Sequence, residues 1–135
     1  MPRILVIDDD HMLRLTVKTM LESDGHEVTL AVDGEDGLRK FEKSAFDLVV
    51  CDVFMPNVEG METIRRIRRM SSRTPIISMT GIASPTGEGA GDDPDFLRMT
   101  AALGATKTIA KPFGRDQLLS LVWRSLGPGA TRSAS

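Results

Sequence analysis

Short apolar runs alternate with longer amphipathic stretches along most of this chain. The short runs are rich in β-branched residues and predict buried strands over residues 4–7, 26–32, 47–51, 75–79 and 105–110. The longer stretches repeat apolar residues at helical spacing, and predict helices over residues 11–23, 34–44, 60–70, from 94 onward, and 117–126. Gly25 is placed to end the first helix and Asp33 to cap the second. The pattern is therefore a strand followed by a helix, repeated five times.

This alternation predicts an α/β fold in one three-layer domain, with a parallel sheet covered by helices on both faces. Right-handed crossovers and five repeats favour the doubly wound strand order 2-1-3-4-5. We expect the domain to span residues 1–127, with a flexible tail over residues 128–135. In such sheets ligands bind outside the carboxyl ends of the strands, so the functional groups are expected there.

Composition narrows the classes of partner. The 135 residues carry a formal net charge of −2, which offers no basic field for direct nucleic-acid binding. No apolar run approaches the roughly 20 residues that cross a bilayer, so membrane insertion is not expected. The single cysteine excludes an internal disulfide. A cytoplasmic location is the expectation that follows.

Acidic, hydroxyl and basic residues follow the predicted strands. Asp8 and Asp9 come after the first strand, Asp52 after the third, Thr80 after the fourth and Lys111 after the fifth. Converging carboxylates favour a hard cation such as Mg²⁺, and a carboxylate can act as a nucleophile towards phosphorus. A lysine and a hydroxyl can neutralise or bind phosphoryl oxygens. These five residues predict a phosphoryl-transfer site.

Several motifs together resemble the receiver domains of response regulators, with the flavodoxin-like fold of the chemotaxis response regulator. The resemblance covers about residues 3–126, and its motifs are IDDD at 7–10, DVFMP at 52–56, Gly60, TG at 80–81 and KPF at 111–113. It implies a signalling phosphoacceptor that catalyses only its own phosphorylation and dephosphorylation. Its donor is a histidine kinase or histidine phosphotransfer protein. Its downstream protein target binds the face of the fourth helix, fifth strand and fifth helix.

The resemblance also implies a role for each matching residue. Asp52 is the phosphorylated residue, and it holds Mg²⁺ with Asp9, the backbone carbonyl of Phe54, and Asp8 through water. In the same family pattern Lys111 bonds the phosphoryl group from a cis peptide to Pro112. Thr80 moves towards the phosphoryl group as the switch.

Two departures from the family pattern stand out. Thr108 occupies the position, three before the lysine, where the family usually has an aromatic switch residue. The stretch between Thr80 and Lys111 is longer than usual because of a glycine-rich loop at residues 81–93, which we expect to be mobile. The bulky Phe54 and Ile82 are expected to shield the phosphoryl group from water, which predicts slow self-dephosphorylation.

Two other functions fit parts of the sequence. In a haloacid-dehalogenase-like phosphatase, Asp8 would be the nucleophile and Asp10 the general acid, but Asp52 would then have no role. A degenerate receiver that binds a partner without being phosphorylated is the other alternative. Four further interpretations are structural: a core Cys51, a solvated His11, a structural His26, and a solvated arginine face at positions 65, 66, 68 and 69. Trp123 is expected either in the core or at a partner-binding surface.

Overall fold

The structure, a computed structural model, describes residues 1–53, 59–80, 104 and 106–127. The strands are β1 (Arg3–Ile7), β2 (Glu27–Ala31), β3 (Leu48–Asp52), β4 (Ile76–Thr80) and β5 (Lys107–Ala110). The helices are α1 (His11–Glu22), α2 (Gly34–Lys43), α3 (Glu59–Met70) and α4 (Arg115–Leu126), which is the fifth helix of the sequence prediction. The predicted loop at 81–93, the predicted helix from Pro94 and the tail lie outside the described residues.

The five strands form one parallel sheet in the order β2-β1-β3-β4-β5, which confirms the predicted topology. Strand β1 lies between β2 and β3, so chain order reverses there. The register pairs Ile7 with Cys51 across β1 and β3, and Thr80 with Ala110 across β4 and β5. The residues that end or follow these strands are therefore brought to one edge of the sheet.

Side chains that alternate along each strand enter two separate cores. Ile4 and Val6 join a core that includes residues of α1 and α4, whereas Leu5 and Ile7 join a core that includes residues of α3. Both faces of the sheet are thus covered, which confirms the three-layer arrangement. Strand β3 is buried along its whole length, and its Cys51 is a core residue as expected. In the described part of the chain, no helix has the length and apolarity needed to span a membrane.

Hydrogen bonds explain where several elements begin and end. Asp10 caps α1 by accepting from the backbone amides of Met12 and Leu13, and Asp33 caps α2 by accepting from that of Asp36. Gly25 has a φ of 86°, the left-handed conformation that glycine adopts most easily.

Predicted element bounds shift by a few residues. Strands β3 and β4 each end one residue later than predicted, so Asp52 and Thr80 are the last residues of their strands. Helix α4 starts two residues before the predicted position. The prediction placed the start too late because the first turn of the helix is polar and adds nothing to the apolar repeat.

The predicted solvated arginine face on α3 is correct only in part. Arg65 and Arg66 are exposed and pair with Glu62. Arg68, in contrast, is half-buried and donates two hydrogen bonds to the Gly104 carbonyl, at 3.2 and 2.7 Å. The reason is the packing of the last turn of α3 against the segment before β5, which replaces water around this guanidinium.

Candidate functional site

An acidic cluster lies at the carboxyl edge of the sheet, where the strand order reverses. Asp8 directly follows β1, Asp52 ends β3, and the parallel register places these strand ends side by side. A carboxylate oxygen from each of Asp8, Asp9 and Asp52 lies within 4.8 Å of the others. The sequence predicted this convergence from strand order alone.

Lys111 brings a positive charge into the cluster from the end of β5. Its Nζ is 3.3 Å from Asp8 Oδ2 and 3.3 Å from Asp52 Oδ2, and its side chain is largely buried. The backbone amide of Lys111 donates to the Thr80 carbonyl at 3.2 Å, which continues the pairing of β5 with β4. One ammonium group therefore bridges two buried carboxylates.

Burial changes the acidity of this cluster. Asp8 is fully buried, and desolvation, together with the nearby charge of Asp52, raises its pKa to about 6. The backbone amide of Asp10, which donates to Asp8 Oδ1 at 2.9 Å, and the charge of Lys111 lower the pKa of Asp8 only in part. Asp9, unlike Asp8 and Asp52, is exposed. The cluster thus has two carboxylates in the protein interior and one at its mouth.

Arg14 binds the backbone next to the cluster, a role that was not predicted from the sequence. This buried side chain of α1 donates from one terminal nitrogen to the Asp8 carbonyl at 2.6 Å. The other terminal nitrogen donates to Nδ1 of the exposed His11 at 3.2 Å. The spacing of Arg14 from Val17 and Leu21, the two buried apolar residues of α1, is the signal that could have identified it.

Gly60, at the start of α3, lies directly against the backbone of the acidic residue in β3. A Cβ on Gly60 would overlap the Asp52 carbonyl oxygen and would approach the Val53 Cα to 2.6 Å. Only a residue without a side chain allows this contact between α3 and the end of β3. The glycine of the motif therefore has a steric role next to the site.

The two threonines of the predicted switch are both held by hydrogen bonds at β4 and β5. Thr80 is fully buried, and its hydroxyl donates to the Ile109 carbonyl at 3.4 Å. Thr108 Oγ1 lies 2.9 Å from the hydroxyl of the buried Ser78. Thr108 stands where the family pattern usually has an aromatic residue, and here its hydroxyl pairs with that of Ser78. The switch roles of both threonines stay predictions.

The remaining predicted residues fall into three groups. The Lys111–Pro112 peptide is cis, as expected. Phe54, with its predicted metal-binding carbonyl, and Ile82 lie outside the described residues. Trp123 is half-buried, donates to Asp24 Oδ2, and lies against the buried ring of His26 with the two ring centroids 4.9 Å apart. Trp123 and His26 therefore contribute to packing between α4 and the segment before β2.

The oxygen-rich cluster fits a hard divalent cation. Mg²⁺ is usually held by one or two carboxylates while keeping several waters, and the exposed Asp9 leaves one side open to solvent. Asp10 is not part of this donor set, because its carboxylate caps α1. That role does not support the general acid that the phosphatase alternative requires.

Comparison with known proteins agrees with the geometry. The family model for the response regulator receiver domain matches residues 4–123. The transcriptional regulatory protein DltR of Streptococcus agalactiae is 32% identical over 120 residues, which are 89% of this chain and 50% of DltR. The sensor kinase/phosphatase CqsS of Vibrio cholerae is 38% identical over 123 residues, 89% of this chain and 17% of CqsS. The chain thus spans half or less of the length of these two relatives.

Solved structures show the same fold. The chemotaxis protein CheY4 of Vibrio cholerae superposes with a TM-score of 0.81 at 31% identity, covering 93% of this chain and 98% of CheY4. A receiver domain protein from Methanospirillum hungatei superposes with a TM-score of 0.81 at 29% identity, covering 93% of this chain and 94% of that one.

Proposed function

Because this chain belongs to the response-regulator receiver domain family, we propose that it accepts a phosphoryl group on Asp52 and thereby switches a protein-binding surface. Receiver domains interact with histidine kinases and downstream effectors, and the phosphoacceptor role is general in the family. The assignment to Asp52, and the phosphorylation of this chain, are the proposal.

The observation that carries the proposal is the bridging position of Lys111. Its Nζ is equally distant, at 3.3 Å, from the carboxylates of Asp8 and Asp52. A phosphoryl group on Asp52 would add negative charge next to this ammonium, which is already fixed in place and largely desolvated. Preorganised positive charge of this kind stabilises a transferring phosphoryl group more strongly than a solvated lysine would.

In the proposed reaction, a carboxylate oxygen of Asp52 attacks phosphorus and forms the O–P bond of an acyl phosphate. The bond from phosphorus to the donor breaks, and its electron pair leaves with the donor's histidine nitrogen or, for a small acyl phosphate donor, with the carboxylate. Lys111 neutralises charge at the phosphoryl oxygens, and the Thr80 hydroxyl binds another of them. Neither residue gains or loses a bond to phosphorus.

Asp9 and Asp52, together with Asp8 through water, are the described residues that would hold Mg²⁺, and the Phe54 carbonyl is proposed as a further ligand. When bound, the ion supplies positive charge that offsets repulsion between the carboxylates and the incoming phosphoryl group. The close approach of three carboxylate oxygens supports this part of the proposal.

The proposed partners are a histidine kinase or a histidine phosphotransfer protein as donor, and a protein target on the face of β5, α4 and the predicted helix before β5. CqsS, which contains a segment similar to this chain, is a sensor kinase/phosphatase, and DltR is a transcriptional regulator. These roles belong to those proteins and support only the class of signalling pathway. The cytoplasmic location stays a prediction.

The test is the reaction of purified protein with acetyl phosphate and Mg²⁺, followed by intact-mass measurement. The wild type should gain the mass of one phosphoryl group, and Asp52→Asn should gain none. Asp116→Asn is the matched control, because this carboxylate of α4 is fully exposed and is not one of the three clustered carboxylates, and it should react like the wild type.

A folded wild-type protein that forms no adduct with acetyl phosphate or with a phosphorylated histidine donor would favour the degenerate receiver. An equal adduct on Asp52→Asn would show that another residue is the acceptor.

A further inference from the structure

Helices α2 and α3 pack side by side, and a groove of about 460 Å³ lies between them. Its floor is apolar, with a half-buried Leu38 and a Met70 that is 42% exposed. Its two walls are charged, and the charged residues that line them include Glu35 and Glu42 from α2, and Arg66 and Arg69 from α3. The groove lies outside the acidic cluster and shares no residue with it.

The α2 wall of the groove is acidic. Glu35 and Glu42 are exposed and seven residues apart, which places them on the same side of α2 about 10 Å apart along its axis. Arg39 also lines the groove, but its guanidinium is bonded to Asp36 Oδ1 at 2.7 Å. The same carboxylate also pairs with the Lys40 ammonium at 3.1 Å, so it offsets only part of the charge of Arg39. The charged residues of α2 that line the groove are thus two glutamates and one partly paired arginine, which leaves this wall with a net negative charge.

The α3 wall is basic. Glu62 is shared by two guanidinium groups, at 3.5 Å from Arg65 and 3.3 Å from Arg66. One carboxylate therefore offsets only half of the charge of these two arginines. Of these two arginines only Arg66 lines the groove, and Arg69, exposed in the last turn of the helix, adds a second positive charge to this wall. The groove thus has an apolar floor between an acidic wall and a basic wall.

A surface of this polarity is complementary to itself. A two-fold axis parallel to the groove would set the acidic wall of one copy against the basic wall of the other, and the basic wall against the acidic one. From this charge complementarity we propose that the α2–α3 groove is the contact surface for a second copy of this chain. The contact is isologous, since each copy contributes the same patch.

The packing of such a dimer follows that of a four-helix bundle. Two helices from each copy would surround a small centre formed by Leu38 and Met70 of both, with Glu–Arg pairs along the two sides. The acidic and basic walls are equally far apart in both copies, because both have the same groove. Each wall of one copy can therefore face the oppositely charged wall of the other. The apolar centre is small and exposed ion pairs are weak, so the dimer is transient and weakened by salt.

Sedimentation equilibrium of the full chain without phosphoryl donor tests this proposal. The wild type should self-associate at high micromolar to millimolar concentration, and more strongly at low ionic strength. Glu35→Lys/Glu42→Lys makes the groove basic on both walls, and Arg66→Glu/Arg69→Glu makes it acidic on both. Each variant alone should dimerise at least about tenfold more weakly, whereas an equimolar mixture should restore association as a heterodimer.

Glu22→Lys/Asp116→Lys is the control, because it makes the same net-charge change as the basic variant on exposed positions of α1 and α4. It should associate like the wild type. Circular dichroism checks that each variant is folded, and if either groove variant does not fold, the salt dependence of the wild type decides. A wild type that stays monomeric at millimolar concentration in low salt, a mixture that does not associate, or a control as weak as the groove variants would overturn the proposal. None of these results bears on the phosphorylation of Asp52.

Discussion

Lys111 is the residue whose single charge connects the two buried carboxylates of the site. Replacing it with methionine keeps the apolar stem and removes the ammonium that lies 3.3 Å from Asp8 and Asp52. We expect Lys111→Met to slow formation of the acyl phosphate by at least about tenfold, because the preorganised charge is lost. Lys107→Met, at an exposed position of β5, should react at the wild-type rate. Rates from intact mass over time decide the matter, and equal rates for Lys111→Met and the wild type would contradict this role.

Burial of the charged Asp8 carboxylate lowers the free energy of unfolding when no metal ion is bound. Its folded-state pKa, about 6, lies above its ordinary value of 3.8. The protonated carboxyl therefore stabilises the fold fully below pH 3.8, and this contribution is lost as the pH rises through about 6. Asp8→Asn, which carries no charge, should be more stable than the wild type at pH 7 without Mg²⁺. At about 1.4 kcal/mol per pH unit, the gain is at most about 3 kcal/mol.

Thermal unfolding of both proteins between pH 3 and pH 8 measures this difference. The advantage of Asp8→Asn should shrink as the pH falls and disappear near pH 3. A variant less stable than the wild type at pH 7 would show that the bond to Lys111 outweighs the cost of desolvation.

The end of β3 and the start of α3 lie so close together that there is no room for a side chain on Gly60. Gly60→Ala would place a methyl group against the backbone of Asp52 and Val53, which cannot rotate away as a side chain can. We expect a loss of about 1–3 kcal/mol in the free energy of unfolding, as for other overpacked positions, and slower phosphorylation. Gly114→Ala, where a Cβ would meet no atom within 4 Å, should cost less than about 1 kcal/mol. Urea unfolding compares them, and equal losses would contradict the steric argument.

Helices and strands were predictable where apolar residues repeat at regular spacing. The burial of individual side chains was less predictable where it depends on polar contacts. Strand β3, buried throughout, was predicted to within one residue. Arg14 was missed because a charged residue on the buried side of α1 breaks the binary pattern, and only its contact with the Asp8 carbonyl explains it. Arg68 was placed in solvent because its partner, the Gly104 carbonyl, is 36 residues away in the chain.

The residues of the site were predictable because the topology of the sheet brings them together. Asp8 and Asp52 are far apart in sequence, yet neighbouring parallel strands must bring their carboxyl ends together. The pairing of Ser78 with Thr108 across β4 and β5 could not be anticipated, because it depends on the register of two strands. Sequence periodicity predicts strands but does not set that register.

Ligand binding at the site should stabilise the entire domain, since binding to the folded state alone shifts the folding equilibrium. We expect Mg²⁺ with beryllofluoride, which mimics a phosphoryl group on Asp52, to raise the melting temperature of the wild type by a few degrees. Asp52→Asn should show a much smaller shift, and Asp116→Asn the full one. Differential scanning fluorimetry measures all three, and a full shift in Asp52→Asn would place the binding elsewhere.

Chemical reduction can locate the phosphoryl group on the chain. Borohydride reduces an acyl phosphate of aspartate to homoserine, so treatment after reaction with acetyl phosphate and Mg²⁺ marks the acceptor permanently. Tandem mass spectrometry of the digested protein should find homoserine at position 52, with aspartate unchanged at positions 8 and 9. Homoserine at position 8 or 9 with none at position 52 would show that Asp52 is not the phosphoryl acceptor.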